Sequence, residues 1–207
     1  MSKCMVEGCN APHFSRGYCE EHHELLKKHK KLPKINNNIY IPHDDYVELF
    51  LYAPKDNKTY IVQFDWEDYD FMISHTWSLC RGGKGDMYVR DSNSQRLLHR
   101  LLMGLSVEDK VVVDHIDRNP FNNRRSNLRI CTHQQNMWNK TAHPNSKTGI
   151  RGVRKERGMY VAGITVNRLY IPLGKFMTLE QAKKAREEAE LKYYGEFSPL
   201  HQGGGLK

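Results

Sequence analysis

Residues 111–139, VVVDHIDRNPFNNRRSNLRICTHQQNMWN, decide the fold at the centre of this chain. Three apolar residues lead into Asp114 and His115, which predicts a short buried strand that ends in two polar side chains. A loop rich in turn-forming residues follows, and residues 128–131 predict a second short strand. Thr132 suits a helix N-cap, with a capping-box glutamine three residues later. About thirty residues form too small a core to fold alone, so the many polar side chains point to a function.

The polar side chains of this stretch suit a metal site that activates water. At a strand end, Asp114 and His115 can both face one cavity, and Asn136, one turn into the helix, can point to the same place. A carboxylate, an amide oxygen and phosphate oxygens are hard ligands that suit Mg²⁺. A neutral histidine beside them can accept a proton from water.

The stretch also resembles the HNH nuclease family, whose core is the ββα-metal finger. The resemblance covers about residues 98–140 and rests on LHRLLMG at 98–104, VDHIDRNPFNN at 113–123, SNLR at 126–129 and THQQN at 132–136. The positions that name the family fall on His115, Asn127 and Asn136. The last of these is asparagine instead of histidine, which is a common variant of the pattern.

The resemblance implies a role for each matched residue. His115 would be the general base, and Asp114 and Asn136 would hold one divalent ion on the scissile phosphate and the leaving 3′ oxygen. Asn127 would tie the loop together and keep His115 oriented.

The resemblance extends upstream to a histidine–arginine pair, His99 and Arg100, in which Arg100 would contact phosphate. It implies hydrolysis of double-stranded DNA to 5′-phosphate and 3′-hydroxyl ends, without a nucleotide cofactor. The ligand types do not separate Mg²⁺ from Mn²⁺.

Composition favours a nucleic-acid partner. Lys and Arg number 32 against 24 for Asp and Glu, a net charge of +8, and the pI is about 9.2. This balance favours a polyanionic partner, although a merely soluble basic protein has the same signature. No apolar run approaches the roughly 20 residues of a membrane span, and no signal peptide begins the sequence. We expect an intracellular monomer, encoded by a phage or mobile element, in the reducing cytoplasm of a bacterial host.

The N-terminal segment predicts a structural Zn²⁺ site. Cys4, Cys9, Cys19 and His22 follow the spacing Cys-x4-Cys-x9-Cys-x2-His, which suits tetrahedral Zn²⁺, and His23 is an alternative fourth ligand. The segment resembles the small zinc knuckles of phage proteins, and so short a piece could not fold without metal. The alternative is a floppy tail with three free cysteines.

A basic helix is expected directly after the predicted knuckle, over residues 25–32. Lys27 and Lys28 in this helix would lie along the DNA backbone, although a charge run is more often a solvated helix face. Residues 1–32 would therefore form the first domain.

Between two linkers lies the predicted nuclease region. Residues 33–40 and 140–147 are rich in linker-type residues, and residues 39–140 would contain a β-rich lead-in followed by the HNH core. The lead-in strands are expected at 47–52, 60–64, 77–80 and 87–89.

The C-terminal segment, residues 148–198, predicts three strands at 150–155, 159–166 and 168–173, followed by a helix that Thr178 caps. Ala182, Ala185, Ala189 and Tyr193 would form the helix face that covers the sheet. GIRGVR, YVAGI, LGKF, EQAKKAREEA and YYGEF resemble the ethylene-response-factor (Apetala-type) DNA-binding domain of plants. The tail, residues 199–207, is expected to be disordered.

An ethylene-response-factor sheet would present basic and aromatic residues to a DNA groove. The open face would carry some of Arg151, Arg154, Tyr160 and Arg168, which suit guanine edges and phosphates. The chain departs from the family pattern in the second strand, where Met159 to Val161 replace the usual tryptophan and arginine.

The fold class expected is α+β and modular, with a zinc knuckle, a β-rich lead-in with the HNH finger, and a three-stranded antiparallel sheet packed on one helix. The function expected is a metal-dependent HNH endonuclease of the homing type, which nicks or cuts both strands of double-stranded DNA. The alternative is a sequence-specific DNA-binding regulator with an inactive finger. A zinc-dependent RNA-binding protein gains support only from the charge and the knuckle.

Overall fold

The computed structural model describes residues 11–12, 19–20, 38–82, 86–140, 142 and 145–202. Cys4, Cys9, His22 and His23 of the predicted zinc knuckle, and Lys27 and Lys28 of the basic helix, lie outside these residues. The described chain forms two compact units: one holds the residues up to Asp109 together with Asn119–Arg129, and the other holds Lys110–Arg118 and the residues from Ile130 onward. No helix in the described ranges is long and apolar enough to cross a membrane.

A three-stranded antiparallel sheet forms the core of the first unit. Strands β1 (Ile39–Pro42), β2 (Tyr46–Ala53) and β3 (Lys58–Asp65) lie in the order β1-β2-β3. Asn57 makes the β2–β3 turn with a φ of 48°, a conformation that asparagine tolerates better than most residues. The centre of the sheet is fully buried at Val47, Leu49, Val62 and Phe64. The predicted strands at 47–52 and 60–64 are confirmed.

A hairpin and two short helices complete this unit. Strands β4 (Trp77–Arg81) and β5 (Met87–Asp91) pair antiparallel and confirm the other two predicted lead-in strands. Helix α1 (Tyr69–Ile73) precedes the hairpin, and helix α2 (Leu98–Leu102) follows it. Trp77 is buried and donates from Nε1 to the carbonyl of Met72 at 2.7 Å, which joins the hairpin to α1.

The loop 119–129 is fixed to this unit by ion pairs. Arg124 Nε donates to Asp65 Oδ1 at 3.0 Å. Arg125 makes a two-pronged contact with Asp68, at 3.0 Å from Nε and 2.6 Å from Nη2. Asp68 is 4% exposed, so its charge is compensated mainly by protein groups such as this guanidinium. Ion pairs therefore join the loop to the end of β3 and to the residue before α1.

The nuclease-like stretch has the element order expected from its sequence. Strand β6 (Val112–His115), the polar loop, strand β7 (Leu128–Cys131) and helix α3 (His133–Trp138) follow one another. Thr132 caps α3, with Gln135 completing the capping box. Strand β7 spans the boundary between the two units.

The C-terminal part of the second unit is a three-stranded antiparallel sheet covered by a helix. Strands β8 (Val153–Glu156), β9 (Met159–Val166) and β10 (Leu169–Phe176) lie in the order β10-β9-β8, and helix α4 (Leu179–Tyr194) packs against them. Thr178 caps α4 through the expected capping box. The α+β class is confirmed.

The buried face of α4 differs in part from the expected one. Ala182 and Ala189 are buried as predicted, but Ala185 and Tyr193 are only half-buried. The other buried positions of α4 are Arg186, Glu190 and Tyr194. Their polar groups are hydrogen-bonded to one another and to the sheet, which offsets the free-energy cost of burying them. A prediction based on the spacing of apolar residues does not identify such positions.

Candidate active site

Strand β6 ends in two buried polar residues. Asp114 is 6% exposed and His115 is 7% exposed. The side chain of Asn139, the residue that ends α3, donates from Nδ2 to both carboxylate oxygens of Asp114, at 3.0 Å and 2.9 Å. Asp114 is therefore held in place by a neutral donor.

Asn139 also binds the main chain at the end of β6. Its Nδ2 lies 3.0 Å from the carbonyl oxygen of His115 and 3.3 Å from that of Ile116. Four oxygens surround this atom, so it must be the amide nitrogen, since the amide oxygen cannot donate. Asn139 is 1% exposed. The sequence reasoning missed this residue, although its position three residues after Asn136 places it on a similar helix face.

Asn136 lies on α3, which packs against β6. Its side chain is half-buried, and its backbone N–H donates to the backbone carbonyl of Thr132 at 3.0 Å in the first helical turn. Asp114 and Asn136 thus belong to neighbouring elements of one unit, with Asn139 linking the two elements.

The donor set at this strand end suits a hard divalent ion with few protein ligands. In the described ranges no three His, Cys, Asp or Glu side chains form a metal-binding group. Mg²⁺ keeps several waters and commonly takes only one or two carboxylates from the protein. The buried carboxylate of Asp114 fits that requirement.

Asn127 closes the polar loop of the first unit. It is 8% exposed, and its Nδ2 donates to the carbonyl of Asn122 at 2.7 Å. Asn123 is 1% exposed and makes a similar bond to the carbonyl of Pro120 at 3.1 Å. Two asparagine side chains therefore fix the loop backbone from inside.

The upstream pair lies on α2 of the first unit. His99 is 6% exposed, and its ring centroid lies 5.9 Å from that of Tyr88. Arg100 donates from Nη2 to the carbonyls of Ser106 at 2.6 Å and Asp109 at 3.2 Å. The guanidinium thus binds the backbone of the segment that follows α2.

The open face of the C-terminal sheet carries a basic patch. Ala162 and Ile164 pack in the apolar clusters on the α4 side, so Val161 and Gly163 face the opposite side. The register places Arg154 and Lys175 on either side of Val161. Both long side chains are exposed. We call Arg154, Lys175 and Tyr170 the open-face patch.

Tyr170 completes the open-face patch by lying across Gly163. Its side chain is 55% exposed. A methyl group at position 163 would overlap the phenol ring and hydroxyl of Tyr170, so only glycine lets the ring lie flat on the sheet. The sequence did not predict a role for Tyr170. Its position opposite Thr165 depends on the register between β9 and β10.

Two residues predicted for the open face lie elsewhere. Tyr160 packs against the cluster of Val153, Ala162 and Ala182 beneath α4, because it lies on the helix-facing side of β9. Arg151 precedes β8, and its Nη1 donates to the carbonyls of Trp138 at 2.9 Å and Lys140 at 3.2 Å. Burial lowers the pKa of this guanidinium.

Arg154 and Arg168 are exposed. The side chain of Arg154 is 60% exposed and pairs with Glu156 at 3.2 Å. Arg168 is exposed in the β9–β10 turn, where its φ is 67°. Of the four residues predicted for the open sheet face, Arg154 and Arg168 are the two at exposed positions.

A ββα-ordered motif with a buried aspartate and histidine at its first strand end defines a nuclease of the HNH type. The model of the HNH endonuclease family matches residues 96–138. The chain is 33% identical over 137 residues to "Uncharacterized HNH endonuclease L560" of Acanthamoeba polyphaga mimivirus, which covers 64% of this chain and 70% of that protein. The chain belongs to the HNH endonuclease family and is a DNA endonuclease.

A second relative matches over a shorter segment of the chain. Protein 3.8 of Escherichia phage T7 is 36% identical over 55 residues, which is 26% of this chain and 46% of that protein. No solved structure matches the chain significantly.

Proposed function

We propose that this HNH endonuclease is a metal-dependent enzyme of the homing type that hydrolyses double-stranded DNA to 5′-phosphate and 3′-hydroxyl ends. The observation that carries the proposal is the buried Asp114 carboxylate at the end of β6, held by the Asn139 amide. The Asp114 carboxylate supplies negatively charged oxygens at the end of β6, and hard oxygen ligands of this kind suit a divalent cation.

Asp114 and Asn136 would hold Mg²⁺ or Mn²⁺. When bound, the ion supplies Lewis acidity at the scissile phosphate and stabilises the leaving 3′ oxygen. Asp114 would contribute a negatively charged oxygen and Asn136 a neutral amide oxygen, which leaves the remaining positions to water and phosphate.

His115 would act as the general base. A neutral imidazole nitrogen can take the proton from the water that attacks phosphorus. The hydrogen bond from Asn139 to the carbonyl of His115 fixes the backbone of His115, and this backbone carries the imidazole ring. Asn127, through its bond to Asn122, would keep the loop in the conformation the site needs.

The roles of His99 and Arg100 rest on the sequence resemblance. Phosphate contact by Arg100 would require its guanidinium to leave the carbonyls of Ser106 and Asp109, or to share its five N–H donors with them.

The C-terminal sheet would bind DNA outside the nuclease motif, as in DNA-binding domains of the ethylene-response-factor type. Exposed Arg154, Lys175 and Tyr170 support this, as does the net charge of +8. The N-terminal Zn²⁺ knuckle of Cys4, Cys9, Cys19 and His22 would provide a second DNA-binding site. A single finger in a monomer would favour nicking.

The test is digestion of supercoiled plasmid and phage genomic DNA with Mg²⁺, with wild type beside His115→Ala. We expect only the wild type to convert plasmid to nicked or linear DNA, and EDTA to stop it. Wild type and His115→Ala should bind DNA with equal affinity, since His115 is buried at a strand end. Equal cleavage by both would refute the role of His115, and cleavage that survives EDTA would refute metal dependence.

A further inference from the structure

Helix α3 is fixed between the strand that carries Asp114 and the C-terminal sheet domain. We infer that this domain sets the geometry of the nuclease site: Arg151 holds the end of α3, and Asn139 at that end orients Asp114. Both are positioning residues. The inference rests on the proposed function, because it takes Asp114 as a metal ligand.

The side chain of Asn139 links the end of α3 to β6. The Nδ2 of Asn139 is within hydrogen-bonding distance of both Asp114 oxygens and of the carbonyls of His115 and Ile116. A displacement of Asn139 would move the carboxylate and the backbone of His115 together. Asn139 is buried, so water cannot easily substitute for it.

The link from the C-terminal domain to α3 passes through Arg151. Its Nη1 donates to the carbonyls of Trp138 and Lys140, the two residues that flank Asn139 in the chain. Carbonyls at a helix C-terminus lack intrahelical partners, so a rigid guanidinium there fixes the backbone on both sides of Asn139.

Two further contacts hold α3 against the same domain. The Trp138 and Tyr194 rings stack with centroids 4.6 Å apart and an interplanar angle of 10°. Gln134 Nε2 donates to Asn167 Oδ1 at 3.2 Å, in the β9–β10 turn. The helix is thus bonded to the C-terminal domain near its start, at its end and just beyond it.

A positioning role predicts a specific pattern of defects. Loss of a residue that orients a metal ligand commonly lowers metal affinity or activity about tenfold to a hundredfold. A DNA-contacting arginine would instead alter DNA affinity and its salt dependence. These two outcomes separate the inferred role of Arg151 from the role that its sequence suggests.

The experiment compares full-length wild type, Arg151→Gln and Arg151→Lys. Mn²⁺ affinity is measured by electron paramagnetic resonance in the absence of DNA. The cleavage rate is measured under single-turnover conditions at saturating DNA. DNA affinity is measured in the absence of metal. We expect Arg151→Gln to weaken Mn²⁺ binding and slow cleavage about tenfold at unchanged DNA affinity. Arg151→Lys should restore part of both, because an ammonium can also donate to the carbonyls. Weaker DNA binding with wild-type Mn²⁺ affinity would overturn the inference.

Lys183→Gln is the matched control. It also removes one positive charge, but from the exposed side of α4, where Lys183 lies 3.9 Å from Glu187. Its Mn²⁺ affinity and cleavage rate should equal those of wild type. A defect as large as that of Arg151→Gln would attribute the effect to net charge and would overturn the positioning role.

Asn139→Ala tests the second link. We expect a larger loss than for Arg151→Gln, and a double variant no worse than Asn139→Ala alone, because the two residues act in series. Additive losses would overturn the inference. Circular dichroism reports whether each variant is folded, and if Asn139→Ala is not, the Arg151 variants decide the question.

The outcomes also separate this inference from the proposed function. A wild-type protein that neither binds Mn²⁺ nor cleaves would refute the proposed function itself. A wild type that does both, beside an Arg151→Gln variant that matches it, would refute only the positioning role.

Discussion

The two faces of the C-terminal sheet use arginine in opposite ways. On the covered face Arg186 is 2% exposed; its Nε donates to Glu190 at 2.8 Å and its Nη1 to the Gly163 carbonyl at 2.5 Å. On the open face the Arg154 side chain is 60% exposed and lies 3.2 Å from Glu156. The same residue type is therefore buried and structural on one side of the sheet and exposed to solvent on the other. Burial, more than charge, tells the two roles apart.

Removing the buried arginine should have the largest effect. Arg186→Met leaves the Glu190 carboxylate buried without its guanidinium, and breaking such a pair costs about 3–5 kcal/mol. Urea denaturation monitored by circular dichroism should show this loss in the free energy of unfolding. A loss below about 1 kcal/mol would mean that the covered face tolerates a lone charge, and the contrast between the faces would fail.

Removing both members of the pair should cost much less. Arg186→Met combined with Glu190→Leu replaces the ions with apolar groups of similar size, an exchange that is often close to neutral. Because the Gly163 carbonyl also loses a donor, we expect the double variant to lie within about 2 kcal/mol of wild type. The same urea titration measures it, and a double variant as unstable as Arg186→Met would show that the lone charge is not the cause.

Removing the exposed arginine should alter DNA binding and leave stability unchanged. For Arg154→Gln we expect the slope of log affinity against log salt to fall by about 1, since one phosphate contact is lost. The free energy of unfolding should change by less than about 0.5 kcal/mol. Fluorescence anisotropy over a salt series measures the slope. An unchanged slope would remove Arg154 from the DNA-binding surface.

The smallest effect is expected for a charge pair on the solvent side of α4. Lys183 and Glu187 lie 3.9 Å apart at exposed positions, and such pairs contribute about 0.5 kcal/mol or less. Lys183→Ala should therefore melt within about 2 °C of wild type, as measured by calorimetry. A larger shift would mean that exposure alone is a poor guide to the role of a charge in this domain.

Local chemistry explains what the sequence predicted well. The strands of the lead-in follow from runs of strand-forming residues, and the starts of α3 and α4 follow from capping boxes at Thr132 and Thr178. In each case the deciding residues lie within four positions of one another. The position of Asp114 and His115 at the end of β6 was predictable for the same reason.

Long-range pairing explains what the sequence could not predict. Asn139 and Arg151 bind oxygens that lie 25 and 13 residues away, and Arg186 reaches a carbonyl 23 residues away. A charged or amide side chain looks like a surface residue until its partner is known. Arg151 is predicted on the open face for that reason, but its guanidinium binds the carbonyls at the end of α3. Tyr160 is predicted there as an aromatic residue, but it packs beneath α4.

The contact of Tyr170 with Gly163 has a consequence for sequence variation among relatives. Glycine at position 163 leaves open the space that the Tyr170 ring occupies, so a larger residue there would displace the ring. The two positions should therefore covary: a relative with a small residue at the position of Tyr170 can accept alanine or a larger residue opposite it. A relative that keeps an aromatic residue there should keep the glycine, whichever DNA sequence it cuts.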